Sequence, residues 1–333
     1  MGSSRALRGI DPAALESALA ELGYEDVSVF NFGVNGATAQ VVELLLRQVL
    51  TPDQLPRLIL WADGARAFNS NAEDATYNGI VASSAYQELA QGMLVLPTVN
   101  QPGQTGQTAE VSAAREQGIN ITLTDSYQTL DRWASRQLAR FSGLYESRDR
   151  LKQQFQQGLT TLFPADTSTV ASPPGGVQLA QTDLPSDYEL VDASGFLSLG
   201  IQFNPATYYQ QYARVTGAYD RDYSNFRIPG VQQEALLSIL RYTQAQQIPI
   251  VFVNLPLTDE YLDSTRMDYE QDFREYMVRL ALEQPGLTFR DLGKLWTTRY
   301  DYFSDPSHLN RYGAYAVSQQ LAQDPLIPWN RSR

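Results

Sequence analysis

Residues 58–69 read LILWADGARAFN, an unbroken apolar run that ends in a polar turn. The run does not alternate polar and apolar side chains, which is typical of a parallel strand buried on both faces. Asp63 and Gly64 follow it directly and are residues that favour turns. The segment therefore predicts a central strand of a parallel sheet, with a loop at the carboxyl end of that strand.

Other parts of the chain repeat this order of strand, turn and helix. The predicted strands are 27–31, 248–254 and 287–292, and the predicted helices are 39–49, 231–246, 269–283 and 312–322. Asp11-Pro12 marks the start of a further helix, because aspartate is a good N-cap and proline fits the first helical position. Alternation of this kind predicts an α/β fold, built as a three-layer, doubly wound parallel sheet.

The regular pattern stops after residue 69 and resumes near residue 187. Residues 126–162 read as a long polar helix, and residues 165–186 are rich in Pro, Gly, Ser and Thr, which is typical of a flexible linker. We therefore expect one α/β domain made of residues 1–69 and 187–333. A helical insertion over residues 70–164 and a linker over residues 165–186 would interrupt it.

Composition excludes several classes of function. The 333 residues carry a formal net charge of −12, which disfavours binding to nucleic acid or to an anionic lipid surface. The chain contains no cysteine, so disulfides, thiol catalysis and thiolate metal sites are ruled out. With a single histidine, the usual kind of zinc site is nearly excluded, and we expect no cofactor.

The only histidine, His308, lies in the segment Asp305-Pro306-Ser307-His308. Imidazole is the one side chain whose ordinary pKa lets it exchange a proton near neutral pH. A serine nucleophile needs such a base, and the base needs an acceptor that orients it. The three-residue spacing lets Asp305 hold one ring nitrogen while the other ring nitrogen faces Ser4.

Four loops belong at the ends of strands in this scheme, the first of them at the start of the sequence. They cover residues 2–5, 32–38, 63–69 and 301–310. In open α/β sheets, active sites form beyond the carboxyl ends of the strands. We therefore expect these four loops to converge.

The order of these loops resembles the SGNH (GDSL-type) hydrolase superfamily, whose sequence blocks run Ser, Gly, Asn and then Asp-x-x-His. Gly2-Ser3-Ser4 resembles the first block and places the nucleophile at Ser4. Asp305 and His308 match the last block. Residues 31–38 resemble the second block and carry the oxyanion glycine onto Gly36, with Asn35 beside it as a further candidate.

The resemblance implies a serine esterase or an O-acyltransferase that acts on an acylated small molecule or polysaccharide. The Gly-Ser-Ser form is similar to the DltD and AlgX-like branches, membrane-tethered proteins that handle acyl groups on cell-envelope polymers. Over most of the chain the likeness is to uncharacterised SGNH-like proteins of cyanobacteria. It implies an envelope-facing protein with an upstream membrane anchor.

Two features depart from the SGNH pattern. The third block should supply an asparagine as oxyanion donor, but Arg66 stands at that position and the nearest asparagine, Asn69, comes one turn later. Arg66 would then stabilise an oxyanion or hold an anionic substrate. In an SGNH fold a buried strand precedes the nucleophile, whereas only Met1 precedes Gly2, so we expect the first strand to be missing.

Other interpretations stay open at this level. Ser4 is also a plausible turn serine, Asp305 a helix cap, His308 a structural loop residue and Gly36 a residue of a tight turn. Arg66 is also a plausible salt-bridge partner. The alternative function is a catalytically weak or inactive SGNH-like binding module in envelope polymer assembly. A third interpretation is partner binding through the predicted helix over residues 126–162.

Overall fold

The computed structural model describes residues 1–91 and 191–329, and a parallel sheet of three strands lies at its centre. The strands are β1 (Ile59–Asp63), β2 (Ile250–Asn254) and β3 (Leu287–Asp291), in the spatial order β1-β2-β3. Trp61 of β1 is in register with Phe252 of β2, and Phe252 is in register with Phe289 of β3. The predicted α/β class with a parallel sheet is confirmed.

Helices precede and follow these strands along the described chain. The α-helices are α1 (Ser4–Gly9), α2 (Pro12–Glu21), α3 (Ala39–Leu44), α4 (Ala75–Ala82), α5 (Ser84–Ala90), α6 (Pro205–Gln211), α7 (Val231–Ala245), α8 (Ser264–Glu283) and α9 (Arg311–Ala322). A π-helical turn over Leu45–Val49 continues α3. Between β3 and α9, β4 (Phe303–Asp305) and β5 (His308–Leu309) form a short antiparallel hairpin.

The predicted cap of α2 is confirmed. Asp11 Oδ1 accepts a hydrogen bond of 3.1 Å from the Ala14 backbone N–H, and Pro12 occupies the first helical position. By contrast, α8 begins earlier than predicted, because Asp263 caps it by accepting from the Arg266 N–H. An aspartate cap satisfies one of the backbone donors that have no partner at the start of a helix.

Side chains of the central strands face two hydrophobic clusters. Ile59 and Trp61 pack in a cluster with α3, α7 and α8, whereas Ala62 packs in a second cluster with α1, α2 and α9. Successive side chains of a strand point to opposite faces, so helices cover the sheet on both sides. The ring centroid of Trp61 lies 5.5 Å from that of Phe252.

The expectation of a strand over residues 27–31 is wrong. The Val29 N–H donates to the Glu16 carboxylate, and the Asn31 N–H donates to the Ser194 carbonyl at 2.8 Å. These bonds use backbone donors that a sheet would need. The loop makes its one β-bridge two residues later, where Gly33 pairs in parallel with Gly2.

Met1 and Gly2 lie beside β1 in a parallel hydrogen-bond pattern. The Met1 amino group donates to the Leu60 carbonyl at 2.7 Å, and the Ala62 N–H donates to the Met1 carbonyl at 2.9 Å. Gly2 has a φ of 137°, and a Cβ there would lie 2.1 Å from the Ala62 carbonyl oxygen. Only glycine fits this position. The chain then enters α1 at the carboxyl end of β1.

Part of the predicted domain division lies outside the described residues. Within the predicted insertion, α4 and α5 are helical. Residues 92–164, which include the predicted long helix over residues 126–162, and the predicted linker over residues 165–186 are not described. The division therefore stays a prediction.

Gly33 gives a direct test of how α1 is seated on the loop before α3. A Cβ on Gly33 would lie 2.5 Å from the Leu7 backbone nitrogen, so we expect Gly33→Ala to lower the free energy of unfolding by about 1–3 kcal/mol. Gly286→Ala is the matched control, because a Cβ there meets no atom within 4 Å. Urea unfolding of both variants measures the difference, and equal stabilities would contradict the predicted contact.

Candidate active site

The first turn of α1 is fastened to the end of β1. The Ser3 N–H and hydroxyl donate to the two carboxylate oxygens of Asp63 at 2.9 and 3.0 Å. The Gly64 N–H donates to Asp63 at 3.0 Å, and the Ser3 hydroxyl oxygen accepts from the Arg5 N–H. These bonds fix Ser4, the first residue of α1, at the carboxyl edge of the sheet.

Ser4, His308 and Asp305 form a continuous hydrogen-bonded chain. Ser4 Oγ lies 2.8 Å from His308 Nε2, and His308 Nδ1 lies 2.9 Å from each carboxylate oxygen of Asp305. With the proton on Nδ1, the ring donates to Asp305 and its Nε2 accepts the Ser4 hydroxyl proton. This is the arrangement that activates a serine nucleophile, and it joins residues 304 positions apart.

The hairpin of β4 and β5 explains the Asp305–His308 pair. These residues face each other in antiparallel register, with Pro306 and Ser307 forming the turn. The Ser307 N–H and hydroxyl both donate to Asp305 Oδ1, at 2.9 and 3.2 Å. Thr258, in the loop after β2, donates its hydroxyl to the Pro306 carbonyl at 2.7 Å and ties the hairpin to the sheet.

α1 reaches the triad at two points. Ser4 stands in its first turn, and Arg8 in its second turn lies 3.5 Å from the Asp305 carboxylate. A short helix therefore presents both Ser4 and a cation that faces the Asp305 carboxylate.

Burial and neighbouring charges shift the pKa values of both His308 and Asp305. Burial lowers the pKa of His308 below its ordinary value of 6.5; Asp305 offsets part of this effect, and Arg8 and Arg66 add to it. Burial opposes ionisation of Asp305, but the contacts with His308, the Ser307 N–H and Arg8 outweigh it and hold the pKa of that carboxyl well below its usual range. At neutral pH the imidazole is neutral and the carboxylate charged, as a general base and its orienting partner must be.

Gly36 and Asn35 lie in the turn that precedes α3. Gly36 has a φ of 73°, and a Cβ on it would lie 2.5 Å from the Thr76 hydroxyl of α4. The loop contacts the segment that carries Ser4, because the Val34 N–H donates to the Gly2 carbonyl at 2.9 Å. The glycine at position 36 thus has a conformational reason to be there, and the oxyanion role of both residues stays a prediction.

Asn69 lies in a different setting from the one expected of an oxyanion donor. Its Nδ2 donates to the carbonyls of Asp222 and Ser224, both at 3.0 Å, and its Oδ1 accepts from the Asn71 and Arg227 N–H groups. Both amide protons are therefore engaged in fastening one loop to another. In this conformation the side chain has no proton to give an oxyanion.

Arg66 lies in a 3-10 turn over Ala65–Phe68 and pairs with Asp222 at 2.7 Å. Its positive charge acts on His308, lowering the pKa of that ring. The salt-bridge interpretation is thus realised, while the guanidinium stays close enough to the triad to affect it electrostatically.

A buried polar cluster under the site was not singled out as functional from the sequence. Arg5 is 1% exposed, and its guanidinium lies 4.0 Å from the Glu270 carboxylate. Glu270 in turn accepts from the Tyr223 hydroxyl at 3.0 Å and from Asn254. Among the described residues the Arg5 guanidinium has no hydrogen-bond partner. No spacing signal connects residues 265 positions apart, so only their shared burial reveals them.

Comparisons with known proteins do not add to this picture. No protein-family model matches the sequence, and no curated protein is significantly similar to it. Within residues 1–91 and 191–329, no helix is both long enough and apolar enough to cross a membrane. The same residues contain no group of three or more His, Asp or Glu side chains suited to a metal ion.

The single histidine makes the electrostatics of the triad measurable. We expect the His308 ring to titrate below pH 6.5 in an NMR titration of its one set of ring protons. Asp305→Asn removes a charge that stabilises the imidazolium and should lower this pKa further. Arg66→Met removes a repelling charge and should raise it. Shifts of the same sign in both variants would contradict the assignment.

The Arg5–Glu270 pair predicts a non-additive effect on stability. Arg5→Met leaves the Glu270 carboxylate buried without its cation, so we expect it to cost about 3–5 kcal/mol of the free energy of unfolding. The double variant Arg5→Met with Glu270→Gln removes both charges and should recover a large part of that loss. Urea unfolding in a double-mutant cycle gives the coupling, and strict additivity would show that the pair is not coupled.

Proposed function

We propose that this chain is a serine hydrolase of the SGNH type, an esterase or O-acyltransferase that uses Ser4, His308 and Asp305. The observation that carries the proposal is the hydrogen-bonded chain from Ser4 Oγ through the only imidazole to a buried carboxylate. A three-layer, doubly wound fold is part of the proposal. It is supported by the packing of helices on both faces of the parallel sheet.

The first half of the proposed reaction forms an acyl-enzyme. Ser4 Oγ attacks the carbonyl carbon of the ester while His308 Nε2 takes the hydroxyl proton. The tetrahedral intermediate then collapses, the bond to the alcohol oxygen breaks, and His308 returns the proton to the leaving alcohol. Asp305 stays ionised throughout and stabilises the imidazolium.

The second half releases the acyl group. A water molecule or the hydroxyl of an acceptor gives its proton to His308 and attacks the acyl carbon. The bond from that carbon to Ser4 Oγ then breaks, and His308 returns the proton to Ser4. The same residues therefore serve hydrolysis and transfer. The proposed oxyanion donors are the backbone N–H groups of Ser4 and Gly36. Fixed backbone donors of this kind are typically worth about a factor of 10²–10³ in rate each.

The proposed substrate class is an acyl ester of a small molecule or of a polysaccharide. An envelope-facing location and an upstream anchor belong to the resemblance and stay predictions. The proposal does not require them, because the triad is built entirely from described residues.

The second candidate function is a weak or inactive binding module of the same fold. The observation that favours it is the state of Asn69, whose two amide protons are both engaged by the Asp222 and Ser224 carbonyls. A site without a side-chain oxyanion donor would react slowly. Covalent modification of Ser4 separates the two functions, because a binding module has no need of an activated serine.

A fluorophosphonate probe tests the proposal directly. We expect covalent labelling at Ser4, located by peptide mass spectrometry, and hydrolysis of an aryl acetate that Ser4→Ala reduces by at least about 10³-fold. Ser238→Ala is the control, because that serine lies on α7 and contacts Arg47 away from the triad. Absence of labelling, or labelling that survives Ser4→Ala, would exclude the proposed nucleophile.

A further inference from the structure

Arg66 lies three residues after Asp63, the carboxylate that is bonded to Ser3, and its ion pair with Asp222 is only partly shielded from solvent. The Arg66 side chain is 19% exposed and the Asp222 side chain 50% exposed. Asp222 belongs to a short turn over Arg221–Tyr223. Because the Asp222 carboxylate is half exposed, water competes for it and another anion can replace it on Arg66.

The backbone at Asp222 is fixed independently of this ion pair. Asn69 donates to the carbonyls of Asp222 and Ser224, and the Asp222 N–H donates to Asp220 Oδ1 at 3.0 Å. The Asp222 carboxylate itself bonds to Arg66 alone among the contacts of the described residues. The side chain can therefore swing into solvent while the turn keeps its place.

The other charges near Arg66 leave it able to take an anion. Asp63, the nearest buried carboxylate on its own loop, is already occupied by the N–H groups of Ser3 and Gly64 and by the Ser3 hydroxyl. Arg5 lies buried next to Ser4 and adds positive charge on the inner side, where its guanidinium has no hydrogen-bond partner among described residues. Arg5 and Asp63 act on Arg66 in opposite directions, so the Asp222 carboxylate is the charge that an incoming anion would replace.

We propose that Arg66 binds an anionic group of the substrate, and that Asp222 occupies Arg66 until that group displaces it. This inference rests on the proposed function and narrows it to esters that carry a carboxylate or a phosphate within reach of the Ser4 site. Guanidinium suits both anions, because its fork of N–H donors matches their oxygen pairs. The covalent chemistry is unchanged, so the bonds formed and broken remain those of acyl transfer through Ser4.

Matched esters give the test. On the alcohol side, methyl para-acetoxybenzoate is neutral, para-acetoxybenzoate carries a carboxylate and para-acetoxyphenyl phosphate carries a phosphate. On the acyl side, the monophenyl ester of adipic acid is compared with its methyl ester. Values of kcat/KM are expressed as the ratio of variant to wild type, so that differences in intrinsic reactivity between the esters cancel.

Two variants should move the preference for anions in opposite directions. Arg66→Met should lower kcat/KM for at least one anionic ester about tenfold more than for its neutral partner. Asp222→Asn removes the competing carboxylate and should raise the ratio of anionic to neutral ester. Arg47→Met, which makes the same change in net charge in the π-helical turn after α3, where Arg47 pairs with Glu43, is the control and should leave the ratio as it is.

The outcomes separate this inference from the proposed function. Hydrolysis of the neutral esters with no variant-dependent preference for any anionic ester would overturn the inference and leave the proposed function standing. Absence of both hydrolysis and Ser4 labelling would overturn the proposed function. In that case, calorimetric titration of para-acetoxybenzoate and the phosphate ester into Ser4→Ala protein still decides the inference. Salt-sensitive binding to Ser4→Ala protein that is lost in the double variant Ser4→Ala with Arg66→Met supports the inference. Equal binding to these two variants, or binding to neither, overturns it.

Discussion

The carboxylate of Asp63 joins the sheet to the first helix, and the proposed active site depends on that junction. It ends β1, it is buried, and it accepts three hydrogen bonds from Ser3 and Gly64. Burial raises its pKa, while Arg66, Arg5 and the bonds from Ser3 act against that rise. A buried carboxylate whose oxygens are all hydrogen-bonded is rigid. Ser4, the residue after Ser3, is therefore held at the edge of the sheet, within reach of His308.

The second support of the site is the hairpin at the other end of the chain. Its turn brings Asp305 and His308 into register, and Thr258 fixes the turn to the loop after β2. The two supports meet at the sheet, because one follows β1 and the other is tied to the loop after β2, and they also touch directly where Arg8 of α1 faces Asp305. The pairing of β1 with β2 and the contact of α1 with the hairpin together hold Ser4 within reach of His308. Sites built on rigid elements hold their geometry better than sites built on free loops.

Sequence reasoning reached the parts of this arrangement that are local or periodic. The apolar run at β1 and the Asp11 cap of α2 are encoded within a few residues, and the spacing of Asp305 and His308 is a property of one turn. The approach of Ser4 to His308 is expected from the rule that strand ends meet at one edge and from the resemblance to the SGNH sequence blocks. The strand expected over residues 27–31 does not form, because a side chain and a distant loop take its backbone donors. The Arg5–Glu270 pair and the anchoring role of Asp63 depend on burial, which no spacing reveals.

The contacts of Asn69 and Arg66 show how one loop can change which substrates a site binds. An asparagine that fastens the turn at Asp222 cannot also serve an oxyanion, and the same turn supplies the partner of Arg66. A guanidinium that is already paired with a carboxylate stabilises a transient oxyanion poorly, because the ion pair must first be broken. It is better suited to bind an anionic group of the substrate that is present before and throughout the reaction. Such a contact binds substrate and transition state alike, so it contributes to substrate choice more than to the rate of the chemical step. In this site, on the proposed function, the backbone N–H groups of Ser4 and Gly36 therefore carry oxyanion stabilisation, and Arg66 is left to recognise charge.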